Sequence, residues 1–304
     1  MNPEIPVEGE RDLHKKRLLM KQLIRAGKDL SAAYVYSEKE KEMKTGAPYD
    51  LYDSPLDSVE MLSVGPRGFN QSFERVLDGC DTIPEYLNTT YPDRSLIVGE
   101  LGGPFSRASR ELQETVNIKE TVALTLADHR KADQKKDDSG HGHTVLTGDM
   151  FFTSFNEVEN QGLMPVRDWI KKTGKLDLLI VRLGGLTQNF NKKHGAIEPE
   201  FFTVFFLHSF LKWYELLSED GTMLVVCPGN TEEKIKEFVS KINSNFERPV
   251  LEVEINNHQY KDGSDNPMPV VAIRLRRLIG SPQKIILADL IGDSGHSYFG
   301  GKKD

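Results

Sequence analysis

Cysteine is scarce in this chain, and long apolar runs are absent. The two cysteines, Cys80 and Cys227, lack the close spacing of a metal site or a disulfide framework, which is typical of a reducing compartment. No apolar run reaches the roughly 18–20 residues that a membrane-spanning helix needs. The polar N-terminus lacks the apolar segment of a secretory signal. We therefore expect a cytoplasmic protein with no membrane partner.

An excess of basic charge is also absent, and the remaining composition is that of a globular protein. The 304 residues are 38% hydrophobic and 28% charged, with a formal net charge of −7. This balance argues against general binding of polyanions by the whole molecule. The length accommodates one large domain, or one domain with an appendage.

Residues 1–90 are predicted to form an N-terminal helical region. Apolar residues recur at spacings of three and four within a helix predicted over residues 10–44. The opposite face is basic, because Arg11–Lys28 holds seven lysines and arginines against one acid. That face is either a contact for an anionic partner or a solvated surface. The region as a whole is either a lid over a ligand crevice or a brace on the far side of a sheet.

Beyond residue 90 the pattern changes to alternating strands and helices. Strands are predicted over 96–100, 121–127, 144–146, 176–183, 222–227, 250–255 and 270–275. Helices are predicted over 107–116, 161–173, 199–217 and 231–242, with 131–143 a loop or a poor helix and a turn at Asp220-Gly221. This alternation predicts a mostly parallel α/β sheet whose last two strands form an antiparallel hairpin. Residues 91–280 would be the sheet domain, and 281–304 a C-terminal extension with a glycine-rich tail.

The most informative stretch is Ser95–Arg110, SLIVGELGGPFSRASR. An apolar strand is followed by Glu100, by the pair Gly102-Gly103, and by a helix start that Ser106 can cap. This arrangement lets a backbone approach a nucleotide-like ligand closely. The alternative is an ordinary tight turn between a strand and a helix.

Over about Ser95–Arg277 the pattern resembles the class I S-adenosylmethionine-dependent methyltransferases. That family has an acid and a glycine-rich turn after its first strand, and acids after the second and third strands. Glu100 with Gly102-Gly103, then Asp128, then Gly148-Asp149 match these three positions in order. The resemblance implies a Rossmann-like, doubly wound sheet of seven strands with an antiparallel last strand, and S-adenosylmethionine as the cofactor.

The resemblance also implies a role for each matched position. The glycine pair would lie under the methionine moiety, and Glu100 near its cationic end. Asp128 would accept hydrogen bonds from the ribose hydroxyls, which suits a carboxylate. Asp149 would bind the adenine amino group, with Met150 packed on the ring. The full set of expected cofactor-binding residues is Glu100, Leu101, Gly102, Gly103, Asp128, His129, Gly148, Asp149, Met150 and Arg182.

Several features leave alternatives open. Pro104 and Phe105 stand where the family has a third glycine, which puts cofactor affinity in question. Arg182 either holds an anionic ligand or forms a structural ion pair. His141-Gly142-His143 has no companion ligand at a suitable spacing, so no metal site is predicted. No catalytic residue is identified, although His129 and His194 are candidate bases.

These observations favour a methyltransferase whose acceptor is unidentified: a small molecule, a protein or an RNA. The alternative is a non-catalytic interaction protein that keeps the same fold, motivated by the altered glycine turn. A nicotinamide-dependent oxidoreductase is disfavoured, because the chain lacks the G-x-G-x-x-G fingerprint.

Overall fold

The computed structural model describes residues 73–101, 107–125, 130, 132–148, 163–182, 209–228, 232–260 and 268–285. The helices are α1 (Ile83–Thr90), α2 (Arg107–Thr115), α3 (Ala132–Gly140), α4 (Met164–Thr173) and α5 (Glu232–Ser244), and residues 209–214 are also helical. The strands are β1 (Leu96–Leu101), β2 (Ile118–Thr125), β3 (His143–Thr147), β4 (Leu176–Arg182), β5 (Leu217–Pro228), β6 (Leu251–Tyr260) and β7 (Met268–Arg277). Among the helices in these ranges, none is long and apolar enough to cross a membrane.

All seven strands form one sheet in the order β3-β2-β1-β4-β5-β7-β6. Strands β1 to β5 are parallel, whereas β7 runs antiparallel to both β5 and β6. The expected sheet and its antiparallel last strand are thereby confirmed, and β1 lies inside the sheet as predicted. The protein has the class I methyltransferase fold.

Alternating residues of β1 supply apolar side chains to both faces of the sheet. Leu96 and Val98 pack against Leu112 and Val116, in and just after α2, whereas Leu101 belongs to the cluster on the other face. A strand that is buried on both faces reads as a continuous apolar run, which is why LIV in this sequence predicts β1 correctly.

The second face carries the larger apolar cluster. It includes the fully buried Trp213, whose ring meets Phe210 edge to face, and Phe210 in turn meets Phe238 of α5. The helix predicted over 199–217 ends earlier than expected: residues 209–214 are helical, and β5 already begins at Leu217. Apolar residues continue through this junction, so hydrophobic periodicity could not locate the helix end.

The turn predicted at Asp220-Gly221 is instead an irregular part of β5. Leu176 pairs with Leu217 and Leu178 pairs with Thr222, so the extra residues of β5 bulge out of the ladder. A Cβ on Gly221 would lie 2.7 Å from the carbonyl oxygen of Leu176, which explains the glycine at this close approach. The region predicted as a loop or a poor helix contains α3, and β2 begins at Ile118, three residues before its predicted start.

Residues 73–91 pack on the α2 face of the sheet. Phe73, Leu77 and Ile83 are fully buried there. The hydroxyls of Tyr86 and Tyr91 each lie 3.1 Å from Oγ1 of Thr222 in β5. The domain boundary near residue 90 stays a prediction, as does the role of the N-terminal region, since residues 1–72 lie outside the described part of the chain.

Arg274 links this N-terminal segment to the final hairpin. Its guanidinium is 1% exposed and donates to Asp78 at 2.6 Å and to Glu252 of β6 at 3.0 Å. It also lies over the ring of Tyr86. A buried arginine that has carboxylate partners in two separate segments holds those segments together.

Asp177 joins three strands at the end of the sheet where the parallel strands begin, here called the amino end. Its Oδ2 accepts from the backbone N–H of Ile97 in β1, and its Oδ1 from Ser218 of β5, both at 2.9 Å. Arg94 lies 2.7 Å from the same Oδ1 and forms a second ion pair with Asp220. Burial opposes the charged form of Arg94, but the hydrogen bonds that it donates to Asp220 and the charges of Asp177 and Asp220 together raise its pKa.

We expect Asp177→Ala to lower the free energy of unfolding by about 2–4 kcal/mol, because a buried N–H and a buried hydroxyl lose their acceptor. Urea denaturation followed by circular dichroism measures this change. Asp168→Ala, which removes an exposed carboxylate from α4, is the matched control and should leave stability unchanged. Equal midpoints for the two variants would show that Asp177 does not hold the strands together.

Candidate functional site

The candidate site lies where the parallel strands end, here called the carboxyl end of the sheet. Leu101 of β1 pairs with Leu124 near the end of β2 and with Val181 near the end of β4, so these strands finish side by side. The chain passes from β1 outward to β2 and β3, then returns to β4 on the other side of β1. Such a reversal of strand order opens a crevice at the carboxyl end, which is where ligands bind in open α/β sheets.

Glu100 is a buried acidic residue close to the carboxyl end of β1, beside this crevice. It is the penultimate residue of β1 and only 1% exposed. Its backbone neighbours on the adjoining strands are Ala123 and Ile180, and Ser109 of α2 donates to its Oε2 at 3.2 Å. Burying a carboxylate beside apolar strands is costly. The hydrogen bond from Ser109 offsets part of this cost.

The hydroxyl of Ser109 makes a contact that the sequence did not suggest. It donates to Glu100, which fixes the carboxylate relative to α2. The predicted cap of this helix by Ser106 stays a prediction, because Ser106 lies outside the described residues. Small polar residues in the first turn of a helix are too common for the sequence to have singled out this contact.

An ion pair fixes the chain just beyond β2. Arg130 lies 2.6 Å from Asp138 of α3, and the two side chains are 8% and 4% exposed. Asp128 and His129 immediately precede Arg130 in the sequence. The pair therefore anchors one end of the connection that carries two predicted cofactor residues. Sequence reasoning missed it, since nothing in the spacing distinguishes Asp138 from Asp137.

The predicted site residues follow the ends of neighbouring strands. Leu101 is buried at the end of β1, Gly148 directly follows β3, and Arg182 is the last residue of β4. The remaining members fall outside the described residues and stay predictions: Gly102, Gly103, Asp128, His129, Asp149 and Met150. Strand β2 spans Ile118–Thr125, and the predicted residues Asp128 and His129 lie in the stretch after it that the structure does not describe.

The histidines near β3 have structural contacts. Nδ1 of the buried His143 lies 2.6 Å from Oγ1 of Thr121 in β2. His141 is exposed and lies beside Asp137. In the described ranges, no cluster of three or more His, Cys, Asp or Glu residues could hold a metal ion.

Comparisons with known proteins find similarity only among solved structures. No family model matches the chain, and no curated protein matches it. The plantazolicin methyltransferase BamL, in complex with a triazolic desmethylPZN analog and SAH, is 10% identical with a TM-score of 0.46, covering 86% of this chain and 98% of that chain. A precorrin-6y C5,15-methyltransferase from Geobacter metallireducens GS-15 is 12% identical with a TM-score of 0.31, covering 60% and 82%. Strand order and direction, rather than these distant similarities, define the fold.

We expect Asp138→Ala to lower the free energy of unfolding by about 3 kcal/mol, because it leaves the buried guanidinium of Arg130 without this partner. Thermal and urea denaturation measure the loss. Asp137→Ala removes the neighbouring, exposed carboxylate of the same helix and should behave as the unmodified protein. If both variants are equally stable, the Arg130–Asp138 pair does not anchor the segment beyond β2.

Proposed function

We propose that the protein binds S-adenosylmethionine at the carboxyl end of its sheet and transfers the methyl group to an acceptor. The observation that carries this proposal is the buried Glu100 at the end of β1, beside the reversal of strand order. S-adenosylmethionine carries an ammonium group, and an entirely apolar crevice would offer that group no partner. The buried carboxylate of Glu100, at the end of β1, fits that group.

The cofactor, when bound, supplies a methyl group that is attached to a cationic sulfur. When the methyl group is transferred, this sulfur becomes a neutral thioether. Glu100, held by Ser109, would bind the cationic amino-acid end of the ligand. Asp128 would accept from the two ribose hydroxyls, and Asp149 from the adenine amino group. These residues orient the ligand, and holding an acceptor in line with the methyl group supplies much of the rate of such a transfer.

The acceptor would enter from the side of the crevice next to β4. Arg182 ends that strand and is the candidate for contact with an anionic part of the acceptor or of the cofactor. A small molecule, a protein and an RNA all remain acceptor classes for this proposal. The basic face of Arg11–Lys28 is a second candidate contact for an anionic partner.

We propose a cytoplasmic location. The support is the cysteine content: two cysteines in 304 residues, of which Cys80 is a buried free thiol. Free thiols persist in a reducing compartment.

The first test is binding of S-adenosylhomocysteine by isothermal titration calorimetry. We expect Asp128→Ala to weaken binding by about 1–3 kcal/mol, since both ribose hydroxyls lose a charged acceptor. The exposed Asp133, in the first turn of α3, provides the control, and Asp133→Ala should bind like the unmodified protein. The proposal fails if the unmodified protein does not bind, or if the two variants bind equally well.

The second test separates the role of Glu100 from that of Asp128. Glu100→Gln keeps the shape of the side chain but removes its charge, so binding of S-adenosylhomocysteine should weaken about tenfold. Adenosine has no ammonium group, and its affinity should stay the same in Glu100→Gln but fall in Asp128→Ala. Equal losses for both ligands in Glu100→Gln would place Glu100 away from the amino-acid end of the ligand.

A further inference from the structure

A cavity lies at the amino end of the sheet. Its volume is about 350 Å³, and it is lined by residues of α4, by Lys175 just before β4, by the segment before β5 and by the chain after β7. Strand β4 spans seven residues, so roughly 20 Å separates this cavity from the crevice at the carboxyl end. The two sites therefore do not share a ligand.

Cationic side chains dominate the lining. The lining includes one carboxylate, that of Glu215, and four cations: Arg167, Lys171, Lys175 and Lys284. That carboxylate is already shared, because Arg167 lies 3.1 Å from its Oε2, and Lys212, outside the lining, lies 3.1 Å from its Oε1. Asp168 pairs with Lys171 at the exposed rim. Arg167, Lys171 and Lys175 thus bring three positive charges against the shared carboxylate of Glu215 and the exposed carboxylate of Asp168.

Lys175 is a partly buried cation of this lining. Its Nζ donates to the backbone carbonyl of Glu215 rather than to a carboxylate. Burial lowers its pKa, and the charges of Arg277 and Arg167 lower it further, against the opposing effect of Glu215. A negatively charged ligand in the cavity would relieve this repulsion.

Two apolar residues and an amide complete the cavity. Ile170 and Leu216 belong to the apolar cluster beneath it, and Gln283 contributes its side chain at the rim. Gln283 also donates to the carbonyl of Glu215 at 3.0 Å, which holds the chain after β7 in place. The volume is at the lower end of the range for small-molecule pockets and exceeds what one inorganic anion fills.

We propose that this cavity binds a small phosphate monoester, with the phosphate among Lys171, Lys175 and Arg167 and its organic part over Ile170 and Leu216. Lysine and arginine are the usual partners of phosphate, and the apolar floor gives an ester an advantage over the inorganic ion. The site goes beyond the proposed methyl transfer and does not depend on it.

Phenyl phosphate is the probe, and the methyl resonance of Ile170 in the full-length protein reports its binding at constant ionic strength. We expect saturable binding that is at least fivefold tighter than that of inorganic phosphate. Lys175→Gln and the exposed variant Lys171→Gln should each weaken it at least fivefold. Lys172→Gln removes the same charge from the neighbouring residue of α4, which does not line the cavity, and should leave binding unchanged.

Three results would overturn the proposal: no saturable shift of Ile170, equal losses in Lys171→Gln and Lys172→Gln, or equal affinities for phenyl phosphate and inorganic phosphate. A single-stranded RNA that displaces the probe at far lower concentration would also overturn it, since the surface would then be a nucleic-acid contact. S-adenosylhomocysteine, whether or not it binds, should not compete with phenyl phosphate. This independence keeps the result separate from the test of methyl transfer.

Discussion

The side chain of Asp177 fixes the relative positions of the three central strands. One carboxylate accepts from β1 through Ile97 and from β5 through Ser218, while belonging to β4 itself. In a parallel sheet, a displacement of one strand along another moves everything attached to its far end. The tie at the amino end therefore determines where β1 and β4 finish, and with them Glu100 and Arg182. The fold thus separates the residues that hold the strands in register from those that we propose to meet a ligand.

The sequence predicts the sheet well because its signals are physical requirements of the fold. Strands buried on both faces, such as β1 and β4, must be largely apolar, and their alternation with helices leaves few possible topologies. Element boundaries are predicted less well where the physical cause is tertiary. The helix before β5 ends at 214 although apolar residues continue, and the bulge at Gly221 exists because a carbonyl of β4 approaches closely.

The candidate site is predictable in part for the same reason. An acid that closely follows an apolar run lies near the end of a buried strand, so the amino-acid pattern alone is enough to locate Glu100. Its partner Ser109 and the Arg130–Asp138 pair could not be located in this way, because a contact between two polar residues on separate elements leaves no local pattern. The basic cavity was missed for a related reason: Lys284 is far along the chain from Arg167 and Lys175 and meets them only through the fold.

The central claim is that the crevice between β1 and β4 binds the cofactor through Glu100, and a crystal structure with S-adenosylhomocysteine tests it most directly. The account predicts that the amino group of the ligand lies within hydrogen-bonding distance of the Glu100 carboxylate at the carboxyl end of the sheet. Ligand density at any other place, or a ligand in the crevice whose amino group points away from Glu100, would contradict it.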